Sequence, residues 1–175
     1  FINIRPYFKL LVITDNQKNK PIKSSHISGI FLFLPLITNT TCMDIKQYLD
    51  STYLKTAQQT NLSEKENTQV VKNCIQEAID NNFKLIMIRP DKVVLAKEMI
   101  QNAKSKVTIG TVIDFPEGDG ALVDKLAEAT QAIYDGADDL DFVVDYKAFK
   151  NDEIDKVKTQ VLEGTKLGLK HNKIV

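Results

Sequence analysis

From residue 43 onward the apolar positions of this chain switch repeatedly between two spacings. Short, near-continuous apolar runs alternate with longer stretches in which apolar residues recur every three or four positions. The first pattern suits strands buried on both faces, the second amphipathic helices. Asp44–Tyr48 predicts a short leading helix and Leu49–Leu54 a short strand. Ser63-Glu64-Lys65-Glu66 has the form of a capping box, in which Ser63 accepts the Glu66 backbone N–H and Glu66 reaches back. The helix it opens carries Val70, Val71, Cys74, Ile75, Ala78 and Ile79 on one stripe and ends at Asn81-Asn82. Lys84–Arg89 reads as a strand, broken by Pro90, which suits the first turn of a helix over 91–103. Val107–Ile113 is a further β-branched run. A helix over 120–135 follows, with Leu122, Leu126, Ala129 and Ile133 at helical spacing and Gly136 as its stop. Leu140–Val144 predicts a strand, Asp152–Leu169 a helix, and Lys173-Ile174-Val175 the start of one more strand.

Strands of this kind separated by amphipathic helices predict an α/β fold, a parallel sheet covered by helices. An eight-fold barrel and an open doubly wound sheet both fit that alternation. No Gly-x-Gly-x-x-Gly or Gly-x-x-x-x-Gly-Lys-Ser/Thr loop follows any predicted strand, which disfavours the nucleotide-binding forms.

Residues 1–42 do not share the pattern. Their two apolar patches, Phe8–Thr14 and Ile27–Ile37, flank a polar stretch with Lys18, Lys20 and Lys23. The second patch is too short for a bilayer, which takes about 20 apolar residues. It has the make-up of a signal peptide but lies inside the chain. We read Met43 as the natural start and 1–42 as upstream sequence. Charge divides at the same place. The net charge of zero conceals an excess of base before Met43 and an excess of acid after it. A mildly acidic body lacks the clustered Lys and Arg that phosphate backbones require, so nucleic acid is not an expected partner, nor is a membrane. Two cysteines, Cys42 and Cys74, cannot build a disulfide framework or a metal cluster. Cys74 falls on an apolar stripe and reads as a small core residue, and a reduced, cytoplasmic setting fits. His26 and His171 have no neighbours that suggest a triad or a metal site.

In α/β folds of either kind, ligands are handled at the carboxyl ends of the strands. The first strand carries Asp50-Ser51-Thr52, the third ends in Asp114-Phe115-Pro116, and the fourth reads Asp138-Asp139-Leu140-Asp141-Phe142-Val143-Val144-Asp145. With a period of two, Leu140, Phe142 and Val144 face the helices and Asp139 and Asp141 face inward. Two inward carboxylates are costly unless something compensates them. A structural aspartate paired to a lysine and a charge required by a reaction both remain open for these residues, as they do for Asp50 and Thr52. The lysine-rich helix 147–173 reads most simply as a solvated face.

These same residues carry a resemblance. Leu49-Asp50-Ser51-Thr52-Tyr53-Leu54-Lys55 is similar to an early Asp-x-Thr-x-Leu segment of the class I deoxyribose-phosphate aldolases. Gly110-Thr111-Val112-Ile113-Asp114-Phe115-Pro116-Glu117-Gly118 resembles their Val-x-x-Phe-Pro-x-Gly stretch. Gly136-Ala137-Asp138-Asp139-Leu140-Asp141-Phe142-Val143-Val144 resembles Gly-Ala-Asp-Glu-Ile-Asp-Met-Val. The set runs in order over 43–175; residues 1–42 resemble nothing in the family. The resemblance implies the N-terminal half of a TIM (βα)8 barrel, about four βα units and the start of a fifth strand. It implies an enzyme that reversibly cleaves 2-deoxy-D-ribose 5-phosphate to acetaldehyde and D-glyceraldehyde 3-phosphate in deoxyribonucleotide catabolism. A lysine Schiff base is the electron sink, with no metal and no organic cofactor. The partner is then a phosphorylated sugar, and a homodimer is an allowed assembly. The family's proton-shuttling aspartate matches Asp141, and Asp50 and Thr52 match residues supporting the site's edge.

Two departures stand out. Met87 takes the place of a cysteine found in some members. More importantly, the family's Schiff-base lysine lies in a Lys-x-Ser-Thr-Gly segment on the sixth strand, and none occurs in residues 1–175. The alternative expectation is therefore a half-barrel that is inert alone and acts at most by pairing with a partner. Such a half-barrel has unpaired sheet edges and inner strand faces that would meet water, so marginal stability or self-association is expected.

Overall fold

The computed structural model describes residues 44–175. Four strands, β1 (Asp50–Tyr53), β2 (Leu85–Ile88), β3 (Thr108–Ile113) and β4 (Asp139–Phe142), form one sheet in the order of the chain. Every neighbouring pair is parallel. The helices are α1 (Ala57–Thr60), α2 (Glu64–Asn81), α3 (Val93–Asn102), α4 (Leu122–Asp135), α5 (Tyr146–Lys150) and α6 (Ile154–Lys170). A parallel bridge from Asp139 to Ile174 extends the alternation by one more step, where the sequence expects a further strand to begin.

Local chemistry explains most boundaries. Asp44 caps the leading 3-10 turn, Ile45–Tyr48. At the start of α2 the Ser63 hydroxyl accepts the Glu66 N–H at 3.3 Å, and the Glu66 carboxylate accepts the Ser63 N–H at 2.8 Å. These bonds from Ser63 hold the Glu66 carboxyl below the usual carboxylate range. The same helix ends on Asn82 in the left-handed region, and α4 ends on Gly136 at φ 118°, a value that favours glycine. Pro90 opens a 3-10 turn, Pro90–Lys92, before α3, as its missing N–H allows.

The main core lies between the sheet and the helices. Ile86, Ile88, Ile113 and Leu140 point from the strands into it, all at 0% exposure, against Val71 and Ile75 of α2, Val93 of α3 and Ala129 of α4. Burial of each such strand side chain contributes about 1.5–3 kcal/mol. Phe142 lies on the same side and packs over Gly164 of α6.

Three expectations need correction. Inner-face residues do not all meet water: Leu85, Met87 and Val112 are 2%, 5% and 4% exposed, in a second cluster with Leu54 and Phe115. Sheet twist draws side chains of adjacent strands together, and Gly110 leaves the room. A Cβ there would lie 2.7 Å from Met87 Cε. The fourth strand ends at Phe142 rather than Val144, which is 37% exposed. The lysine-rich region is not one helix but two, α5 and α6, interrupted at residues 151–153 with Asp152 at φ 61°. The reading of residues 1–42, with Met43, His26 and Cys42, lies outside the described residues. Among the described residues no helix is long and apolar enough to cross a membrane.

Candidate functional site

Because the strands are parallel, their carboxyl ends gather along one side of the sheet, and the register states which side chains share its inner face. Thr52 stands opposite Met87, Met87 opposite Gly110, and Gly110 opposite Asp139. Asp50 pairs with Leu85 and Asp141 with Val112. Residues paired in a parallel ladder point to the same face. Asp50, Thr52, Asp139 and Asp141 therefore share the face of the Leu85–Met87–Val112 cluster, opposite Leu140 and the main core. The four sequence-selected residues are thus brought to one face, at different depths. Asp50 and Asp139 are buried, Thr52 is half-buried, and Asp141, one pleat nearer the carboxyl end than Asp139, is exposed. Cys74 sits on the other side, its Sγ 3.1 Å from Ser51 Oγ, and burial pushes its thiol up. That environment fits a core residue and not a thiolate.

The loop after β3 is shaped by a residue that the sequence reading missed. Asp114 has a left-handed φ of 57° and the Phe115-Pro116 peptide is cis. The Asp114 N–H donates to Glu128 Oε2 at 2.9 Å, and Gly120 N–H donates to Asp114 Oδ2 at 2.8 Å. Into this loop reaches Lys125 of α4, 1% exposed. Its ammonium donates to the Gly118 carbonyl, to the Val143 carbonyl at 2.9 Å, and lies 3.1 Å from Asp114 Oδ2. An ammonium has three donors, and each finds an acceptor here. One side chain thus ties the β3–α4 loop to the chain two residues past Asp141. Gly118, at φ 69°, fits where any Cβ would run into the Val144 carbonyl. Lys125 was legible in principle, since it lies one turn before Ala129 on the stripe that α4 buries.

A second connection lies just beyond. Tyr146 donates its hydroxyl hydrogen to Glu117 at 2.9 Å, and the Lys147 ammonium meets Asp119 at 2.8 Å. These carboxylates hold the lysine's pKa well above its ordinary value. Asp145, 2% exposed, caps α5 by accepting the Ala148 N–H at 2.8 Å and pairs with Lys156 at 2.7 Å. The Ala148 bond first and the lysine second hold the Asp145 carboxyl below the usual range. A lowered native pKa adds stability above the unfolded carboxyl value and loses it as pH falls toward the native one. Asn is also a good cap, so Asp145→Asn isolates the charge. It is expected to lower the urea midpoint at neutral pH, and the difference is expected to shrink as pH falls through the native carboxyl's lowered value.

No family model matches the chain. Relatives do. Over 125 residues it is 38% identical to the deoxyribose-phosphate aldolase of Thermococcus gammatolerans, covering 71% of this chain and 52% of that protein. The chain is a homologue of the deoxyribose-phosphate aldolases. The Lactiplantibacillus plantarum aldolase is 35% identical over 133 residues, 76% of this chain and 57% of its own length. Among solved structures, the tetrameric deoxyribose-phosphate aldolase of Aeropyrum pernix superposes with a TM-score of 0.58 at 26% identity, covering 72% of this chain and 48% of that one. The chain thus spans about half the length of the aldolases it matches. The four βα units are accordingly part of a TIM barrel, about half of one.

Proposed function

We propose that this half-barrel carries the acid–base side of a deoxyribose-phosphate aldolase site, with Asp141 as the proton-shuttling residue and Asp50 and Thr52 supporting it. The observation that carries the reading is the register. It sets Asp50, Thr52, Asp139 and Asp141 on one face of the sheet, in a chain homologous to these aldolases. The substrate is 2-deoxy-D-ribose 5-phosphate, handled in the cytoplasm without metal or organic cofactor. In the reaction a lysine amine adds to the C1 aldehyde and loses water to give an iminium. The C2–C3 bond then breaks, and its electrons pass into the iminium as the C3 hydroxyl loses its proton. That proton is Asp141's to take, and the reverse transfer serves the synthetic direction. Glyceraldehyde 3-phosphate leaves, and protonation at C2 followed by hydrolysis frees acetaldehyde.

The Schiff-base nucleophile of this reaction is not found within residues 1–175. No Lys-x-Ser-Thr-Gly segment occurs in residues 1–175. Lys125, the one lysine that the structure buries among the described residues, has its ammonium occupied by three acceptors and is no free amine. Residues 1–175 alone are therefore expected to be inert, because the Schiff-base lysine of the proposed reaction lies outside them. Borohydride trapping with acetaldehyde tests this by mass. No adduct is expected on the 175-residue chain, and one adduct is expected when the complementary half of a relative's barrel is supplied. An adduct on the 175-residue chain alone would sink the assignment.

A further inference from the structure

At the carboxyl ends of β1 and β2, outside the row of carboxylates, lies a cavity of about 80 Å³ whose walls include Lys55, Thr56, Glu64, Arg89, Asp91 and Lys92. Three cations face two carboxylates there, and the geometry of the pairs increases the imbalance. Lys92 and Asp91 are 3.0 Å apart, but the lysine side chain is 19% exposed and the aspartate 63%, so the cation is drawn in and the anion left out. Arg89 is half-buried. Its guanidinium donates to the Leu54 carbonyl at 3.5 Å and lies 5.7 Å from the Phe115 ring centroid. No carboxylate among the described residues pairs with it. A guanidinium offers five donors, and these contacts engage few of them. Charge half-withdrawn from water with so little compensation is costly unless an anion comes to it.

The walls are also fixed in place. The Tyr53 hydroxyl donates to Asn67 Oδ1 at 2.7 Å, and Asn67 Nδ2 donates to the Lys55 carbonyl at 3.3 Å, which holds the chain at Lys55. Thr56 Oγ1 accepts the Gln59 N–H at 3.3 Å, which leaves the hydroxyl hydrogen to a ligand. At about 10–15 Å³ for each water-sized position, the space of about 80 Å³ holds roughly five to eight heavy atoms, room for the five of a phosphate group.

We propose that this cavity binds a phosphate group, held by the fork of Arg89 with Lys55, Lys92 and the Thr56 hydroxyl. It is a second anion site, since the resemblance places the aldolase phosphate cradle on glycines and a serine outside residues 1–175. Arg89 is the anchor because a guanidinium can meet two phosphate oxygens at once. Lys55 and Lys92 act as point charges.

The test needs no turnover, so it stands or falls apart from the aldolase reading. The 175-residue chain, labelled with ¹⁵N, is titrated with inorganic phosphate and separately with glycerol 3-phosphate at constant ionic strength held by chloride. Saturable amide shifts confined to Lys55, Thr56, Arg89 and Lys92 are expected for both, with tighter binding of the ester if an esterified phosphate is the natural source. Arg89→Met is expected to weaken binding at least tenfold. Lys55→Met, at an exposed position that does not endanger folding, is expected to weaken it severalfold. Lys158→Met, which removes an equal charge from the outside of α6, is expected to leave it unchanged. Shifts that fail to saturate, that chloride reproduces, or that survive both Arg89→Met and Lys55→Met would overturn the site.

Discussion

Lys125→Met is expected to lower the stability of this chain by about 3 kcal/mol, seen as a fall of about 1–2 M in its urea midpoint. The substitution keeps the side chain's length and removes only its charge and donors. Left behind are the Gly118 and Val143 carbonyls and the Asp114 carboxylate, all oriented toward an ammonium no longer present. Removing one member of a buried pair costs about 3–5 kcal/mol, because the partner's desolvation remains. The lower end applies here, since Asp114 keeps 24% of its side chain in water. Hydrogen exchange adds a local signature. Amides of residues 114–120 and 143–145 should open faster in the variant than those of β1 and β2, which Lys125 does not touch. A loss below about 1 kcal/mol would mean that the ammonium does no more than an ordinary hydrogen bond there.

The second large effect concerns rate. In a barrel completed by the C-terminal half of a relative, Asp141→Asn is expected to slow single-turnover cleavage of deoxyribose 5-phosphate by about 10²–10⁴-fold. Asparagine keeps the shape but cannot accept the hydroxyl proton. Trapping of the Schiff base should survive in that variant if Asp141 acts on carbon–carbon cleavage and not on iminium formation. Asp139 serves as the comparison. It lies on the same face but is buried, one pleat further from the carboxyl end, with the bridge to Ile174 beside it. Asp139→Asn is expected to cost stability more than rate. Equal rate losses in the two variants would argue against assigning the shuttle to Asp141.

How much of this was legible beforehand follows from the range of each interaction. The α2 capping box and the stop at Gly136 depend on a few consecutive residues, and both stand as the sequence implied. Strand and helix alternation is a periodic signal and came through with boundaries shifted by a residue or two. Inward placement of Asp139 and Asp141 followed from period two alone, because Leu140 and Phe142 had a helix layer to face. The losses are in side chains whose partners lie far away in the chain. Nothing local in Tyr146–Lys150 announces α5, whose cap is a carboxylate fixed by Lys156. Lys125 drew no reading from the sequence. Its meaning depends on a carbonyl 18 residues later and a loop carboxylate before it. Arg89 likewise read as the polar end of a strand, and only the fold shows the cavity beside it.

The sheet order has a consequence for synthesis. Each strand adds only to the strand made just before it, with one helix between them. A growing chain can therefore lay down this structure from its amino end without waiting for distant sequence, each unit finding a finished edge as it leaves the ribosome. Each pairing still closes a loop that holds a whole helix, so the strand contacts form more slowly than the helices between them. The same economy leaves a vacant edge at every stage of growth, ready for whichever strand arrives first. Until the next strand arrives, that edge is the part of the growing chain open to pairing with another.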